Sequence, residues 1–343
     1  MLSRRLALVL FVAACKPSVQ GGAAEVRLAT DLNAAAIDTA LQLIARNGGP
    51  RAERTAGAQE GVAALSKESQ AIVAEVRWDI DPYGAIAAAA HGQLSPSPQS
   101  GQDVPPLWKD SGGTWVAVGG RAEVLLLSQA PRSDAPSGAN DAEHPPPQRF
   151  ATLVEPWLKG KVALVAPTSG MALAHFAALY QVWGAEKMEA WLDQLAKNEP
   201  QIYATDAEVR AAVVEKRARV GILASDEAAQ AVASAAAVGI VYPNQRTIGT
   251  FVWPTALAVS KTASESAKKL AERLADKNIE ALLVARVPGY LPLRAQIPVP
   301  PGVRSAANLV VVSVDPARIV AEIALRKDSL AAWAKKAGKS PLH

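Results

Sequence analysis

The chain has 343 residues, with 36 basic and 32 acidic side chains, four histidines and one cysteine. That length suffices for a large core or two lobes, and one cysteine excludes an intramolecular disulfide framework. With Arg4 and Arg5 set aside the formal charge falls from +4 to +2, and no clustered Lys/Arg stripe of the kind that binds nucleic acid is present.

Met1 to Cys15 (MLSRRLALVLFVAAC) opens on Arg4 and Arg5 and continues into an apolar core, Leu6 to Ala14, too short to span a bilayer. It ends Val12-Ala13-Ala14-Cys15, small residues before a cysteine, which looks like a bacterial lipobox; a plain cleaved leader with an incidental cysteine is the other reading. Residues 1–14 are thus expected to be a lipoprotein signal peptide, Cys15 the lipidated residue, and 15–24 a tether.

Glu25 to Thr30 reads as a strand, and Asp31 or Asn33 can cap a helix over Ala34 to Arg46 that Gly48 and Gly49 stop. A helix is predicted over Glu60 to Ser69 and a strand over Val73 to Trp78. Asp79 and Asp81 follow that strand directly, ahead of Pro82 and a helix from Ile86 to His91. Asp81 is either a cap or a ligand group, and Asp79 is harder to explain as a cap. Trp115 to Ser128 is a strand pair or one bent strand, with Gly119-Gly120 as bulge or hinge and Arg121 in its midst. A lone Arg in such an apolar run is costly unless paired or used. Gln129 to Arg149 has the composition of a surface loop.

Lys161 to Val165 is a short buried strand, Pro167 to Gly170 a polar turn, and Met171 to Trp183 a helix with Leu173, Phe176, Tyr180 and Trp183 on one face. The N–H groups and dipole at that helix start can hold an anionic group; Thr168 or Ser169 can equally serve as an ordinary cap. His175 is assigned to the core or to a supporting position. Helices follow at Glu186 to Lys197 and, capped by Asp206, at Ala207 to Arg217. The strand Val220 to Leu223 runs into Ser225, Asp226 and Glu227 and a helix to about Ala236; the two acids either complement the helix dipole or face a ligand. Gly239 to Tyr242 is a strand and Gly249 to Val259 an extended segment broken at Pro254. Thr262 is expected to cap a helix from Ser264 to Lys277, with further helices from Ile279 to Ala285 and from Ile319 to Lys336 and a Pro-rich return between.

Strands alternating with helices argue for an α/β fold. Extended segments at Trp115–Ser128 and Thr250–Val259 bracket the middle third, which fits two lobes joined by two hinge strands. Polar strand ends would then converge in one cleft: Thr30 and Asp31, Asp79 and Asp81, Arg121, Thr168 and Ser169, Asp226 and Glu227. The lobes are expected at 25–120, 121–249 and a return over 250–343 that includes the C-terminal helices.

The ordered series VRLATDLN, VRWDIDP, WKDSGGTWVAVGGRAEVLLLS, LKGKVALVAPTSG, LYQVWG, VRAAVVEKRARVGILASDE, IVYPNQRTIGTFVWPTALAV and LPLR resembles bacterial extracellular solute-binding proteins. Within these it resembles the ferric-ion-binding branch of ABC importers, over roughly Val26 to Pro301. The resemblance implies a two-lobed periplasmic-binding-protein type II fold, mixed sheets flanked by helices and two hinge strands. It implies a monomeric receptor in the periplasm or on the cell surface that serves an ABC permease and ATPase, touches the membrane through its lipid only, and is not an enzyme. Ferric members carry adjacent tyrosines after the strand matching VGIL. Here Asp226 and Glu227 occupy those positions and no Tyr-Tyr pair occurs. Asp79, Asp226 and Glu227 are candidate oxygen ligands for Fe3+ or a divalent ion. The acids alternatively suit an organic cation such as a polyamine or thiamine, and Arg121 with Thr168 and Ser169 suits an anion. A transport-inactive sensor of the same fold is a further alternative. Ser169 lies in no G-x-S-x-G elbow, and the histidines lack metal or triad spacing.

Overall fold

The computed structural model describes residues 25–56, 74–129, 144–299 and 303–338. The expected signal peptide, Cys15, the tether and the helix over 60–69 lie outside them, as does most of the loop predicted over 129–149. The described residues form a mixed α/β fold with two sheets, the expected two-lobed architecture.

The first sheet is built from β1 (Val26–Thr30), β2 (Ala52–Ala56), β3 (Val76–Asp79), β4 (Trp115–Val116) and β11 (Ala256–Val259), in the order β2-β1-β3-β11-β4. β1 runs parallel to β2 and β3, and β11 antiparallel to β3 and β4. The second contains β5 (Gly120–Ser128), β6 (Val162–Val165), β7 (Gln201–Tyr203), β8 (Val220–Ala224) and β10 (Val252–Pro254), in the order β10-β5-β8-β6-β7. β9 (Val238–Val241) pairs the far half of β5.

Two adjacent crossings join the sheets. β4 of the first sheet leads into β5 of the second, and β10 of the second returns through Thr255 to β11 of the first. The expected hinge strands are therefore real. At the crossing, the Thr255 hydroxyl accepts from the Val118 N–H and the Trp78 indole at 3.2 Å each, while its own N–H donates to Gly119 O at 3.0 Å. Gly119 sits at φ +74°, and a Cβ there would lie 2.2 Å from the Tyr290 ring, so conformation and space both require glycine.

The helices follow from local signals. Asn33 caps α1 (Ala34–Arg46) by accepting from the Ala36 N–H at 3.1 Å, and Ile37, Ala40, Leu41 and Ile44 face inward at helical spacing. α2 (Tyr83–Ala90) starts three residues before the predicted Ile86, since Asp81 Oδ1 accepts from the Tyr83 N–H and turns the chain at Pro82. α3 (Gly170–Trp183) and α4 (Ala185–Lys197) lie within one residue of expectation. α5 (Asp206–Val214) is capped by Thr205, not Asp206; the Thr205 and Glu208 side chains close a reciprocal box that outcompetes the neighbouring carboxylate. α6 (Ser225–Ala233) follows β8 with no intervening loop. Ser264, not Thr262, caps α7 (Glu265–Leu274), and Asp276 caps α8 (Lys277–Arg286). α9 (Pro316–Ala337) packs on α3 and α4: the Trp333 indole donates to Leu192 O at 3.0 Å, and the Arg326 guanidinium lies 4.4 Å from the Tyr180 ring. β2 had not been expected; Ala52–Ala56 (AERTA) is a polar edge strand that propensity does not mark.

Candidate ligand-binding cleft

The carboxyl ends of β1, β3, β6 and β8 supply the polar groups, and Arg121 at the start of β5 stands between the two sets. Arg121 is 7% exposed. Its Nη1 lies 3.5 Å from Asp226 Oδ2, and its Nε has no hydrogen-bond partner. Burial works against its charge, but Asp226, Asp206, Asp81 and Asp31 outweigh burial and raise its pKa. These carboxylates come from both lobes: Asp31 and Asp81 from the first sheet's strand ends, Asp206 and Asp226 from the helix starts of the second.

Two hollows meet at Arg121. The first, about 340 Å³, is bounded by Asp31, Asn33 and Ile80 on one side and by Asp226, Glu227 and Gln230 on the other. Leu283, Val287, Pro288 and Tyr290 complete it with an apolar wall. Asp31 Oδ1 accepts from the Ile80 N–H at 2.8 Å; burial raises its pKa, with that bond and then Arg121 and Arg77 opposing. Glu227 Oε2 lies 3.1 Å from Arg210 Nη1, and its Oε1 accepts from Gln230 at 3.1 Å. Asp226 Oδ1 is cut off from solvent without a hydrogen-bond partner.

The second hollow, about 280 Å³, lies inside the second lobe and includes Arg121, Glu123, Ser169, His175, Thr205 and Asp206. Ser169 precedes α3 without a side-chain capping bond, so the first N–H groups of that helix keep their positive potential toward the hollow. Glu123 is pushed to about 8 by burial, with Asp206 adding to the rise and Arg121 opposing it. Asp206 is raised to about 6, again chiefly by burial. His175 is 1% exposed, with rings of Phe150 and Phe251 at 4.7 and 4.9 Å. Neither of its nitrogens has a partner, and burial drives its pKa down to about 3, so it is a neutral imidazole.

Of the residues singled out in the sequence, Asp31, Arg121, Asp226 and Glu227 thus share one hollow, and Arg121 and Ser169 share the next. Thr30, Asp79, Asp81 and Thr168 border neither. The Thr30 hydroxyl donates to Trp78 O at 2.7 Å and accepts from the Leu32 N–H. Asp79 is 3% exposed and paired with Arg77 Nη2 at 2.8 Å; burial still lifts its pKa to about 7. Asp81 is equally buried and raised to about 6 by that burial. Among the described residues no three His, Cys, Asp or Glu side chains are grouped closely enough to hold a metal ion. Glu123 had no place in the sequence reading, though it stands two residues from Arg121 and therefore on the same strand face. The apolar wall comes from Leu283 of α8, Val287 at its end, and Pro288 and Tyr290 of the Pro-rich return, where no local pattern marks them as site residues.

A sheet-end cleft spanned by two hinge strands is the architecture of a solute receptor, and the chain belongs to the bacterial extracellular solute-binding protein family, whose model matches residues 93–318. Iron-bound HitA from Pseudomonas aeruginosa is similar in structure, with a TM-score of 0.74 at 19% identity, covering 89% of this chain and 99% of HitA. The Bordetella ferric binding protein has a TM-score of 0.68 at 23% identity, covering 91% and 98%. Trichodesmium IdiA (FutA), in complex with iron and citrate, has a TM-score of 0.71 at 18% identity, covering 92% and 99%. At these identities the likeness concerns the fold. No curated protein matches the chain. Among the described residues no helix is long and apolar enough to cross a membrane.

Proposed function

We propose that this chain is the extracytoplasmic receptor of an ABC importer, tethered through a lipid on Cys15 at the periplasmic membrane face or the cell surface. It captures a small cationic solute between its lobes and delivers it, as a monomer, to a permease driven by a cytoplasmic ATPase. The observation that carries this reading is the 340 Å³ hollow with Asp31 on one lobe facing Asp226 and Glu227 on the other. Carboxylates on opposing walls gain a shared partner when a cation sits between them, and that gain is the differential contact that favours the closed state.

Iron is the cargo named for the similar structures. Here the oxygen donors available in the hollow are carboxylates, which suit a hard cation in type. Tyr290 borders the same hollow, but its hydroxyl donates to Val118 O at 2.8 Å and burial pushes its pKa well up, so it offers no ready phenolate. The anion-holding role of Ser169 and Arg121, which line the second hollow, remains part of the proposal, as a second contact for a ligand that also carries negative charge; Thr168, outside both hollows, takes no part in it. The test is calorimetry on the lipid-free domain, unfolded, stripped and refolded, against metal ions, organic cations and small anions. Micromolar binding of a cation supports the reading; absence of binding by every solute at millimolar concentration overturns it.

A further inference from the structure

The first hollow is only partly acidic. Three carboxylates, one guanidinium, Asn33 and Gln230 occupy one part of its lining, while Leu32, Ile80, Leu283, Val287, Pro288 and the Tyr290 ring make up the rest. A bare or hydrated metal ion is bound by oxygen ligands on all sides and gains nothing from such a wall. Its volume of about 340 Å³ also far exceeds an ion and falls within the range of small-molecule pockets. No three of its acids are grouped at metal-binding distance among the described residues.

Two side chains of the lining hold a buried atom without a protein partner. Arg121 is more than nine-tenths buried with its Nε unpartnered, and Asp226 Oδ1 is solvent-inaccessible and unpartnered.

We infer that the hollow binds a small organic ammonium ion with a compact hydrocarbon body: the nitrogen between Asp31, Asp226 and Glu227, the body against Val287, Pro288 and Tyr290. This rests on the receptor reading above and narrows its ligand. An ammonium donates several hydrogen bonds to carboxylates that approach from different directions, whereas its methylene groups bury apolar surface that a metal leaves wet.

The test is titration calorimetry on the stripped, lipid-free domain with putrescine, agmatine, choline and thiamine, beside ferric citrate, Mg2+, Ca2+ and inorganic phosphate. Each is repeated with Glu227→Gln and with Val287→Asn, both first shown by circular dichroism and unliganded melting to be folded. The expected result is micromolar binding of at least one organic cation. Its Kd should rise about tenfold or more in Glu227→Gln and about tenfold in Val287→Asn. Loss of affinity in Val287→Asn is the readout that a metal site would not move. Binding of a metal ion or phosphate with no organic cation overturns this inference and leaves the receptor standing. Organic-cation binding that ignores both variants places the ligand elsewhere and also overturns it. No binding by any probe at millimolar concentration overturns both.

Discussion

Replacing Glu123 with Gln isolates the largest charge penalty in the second hollow. Glu123 is 5% exposed on β5, and its pKa stands at about 8 against an ordinary 4.5. Burial is the main cause; Asp206 at the start of α5 and Asp226 at the start of α6 add to it, while Arg121 opposes it. Between those two pH values the folded chain holds a proton that the unfolded chain releases, so stability falls as pH rises through the window. Each pH unit is worth about 1.4 kcal/mol, so the penalty above pH 8 is on the order of 5 kcal/mol. Gln has nearly the same shape and cannot ionise. Urea unfolding of both proteins should give similar stabilities near pH 4.5 and a growing advantage for Glu123→Gln toward pH 8. A difference that does not change with pH, or a Gln variant that loses ground as pH rises, would refute the electrostatic account.

Gly289 has φ +74°, and a Cβ there would lie 2.2 Å from Ser225 O, so Gly289→Ala should cost about 2–4 kcal/mol in chemical denaturation through strain and backbone displacement. Arg294 is fully buried, paired with Glu280 and bonded to Ala275 O at 2.7 Å; Arg294→Met strands the equally buried Glu280 and should cost about 3–5 kcal/mol by the same measurement. Arg121→Gln removes the one cation shared by four carboxylates, so calorimetry should show tighter binding of a cationic solute and weaker binding of any anion. Weaker binding of a cationic solute, or tighter binding of an anion, would refute this charge role for Arg121.

The architecture was legible because it depends on period and punctuation. Ile37, Leu41 and Ile44 repeat at helical spacing, VGIL and VALV are apolar runs bounded by turns, and Gly119-Gly120 and Pro254 interrupt extended segments where the chain crosses between sheets. What escaped was decided by neighbours. Thr205 or Asp206, and Thr262 or Ser264, are equivalent caps by residue type; Glu208 three residues beyond Thr205 and Ala267 N–H above Ser264 decide between them. Within the site, Arg121 stood out as a lone charge in an apolar strand. Glu123 beside it and the wall from Val287 to Tyr290 acquire meaning only when α8 and β5 are brought together. Asp79 looked like an open ligand from its place at a strand end, but Arg77, two residues earlier on the same face, folds over it.

A buried guanidinium is an expensive way to hold two lobes together if stability were the only demand, since apolar replacement of such groups is often neutral or favourable. Its position gives it another use. Arg121 follows Gly119 and Gly120 directly and is paired in register with Trp253 on the returning strand, so it stands where the two lobes join. The carboxylates that balance it are divided between the lobes. In the receptor proposed above, a cation in the cleft would relieve the repulsion among Asp31, Asp226 and Glu227, and closure would be favoured with that ligand present and opposed without it. On that proposal, Asp226 and Glu227 at the end of β8 would do more than supply donor atoms: with Arg121 they would make lobe closure conditional on the charge of what is bound.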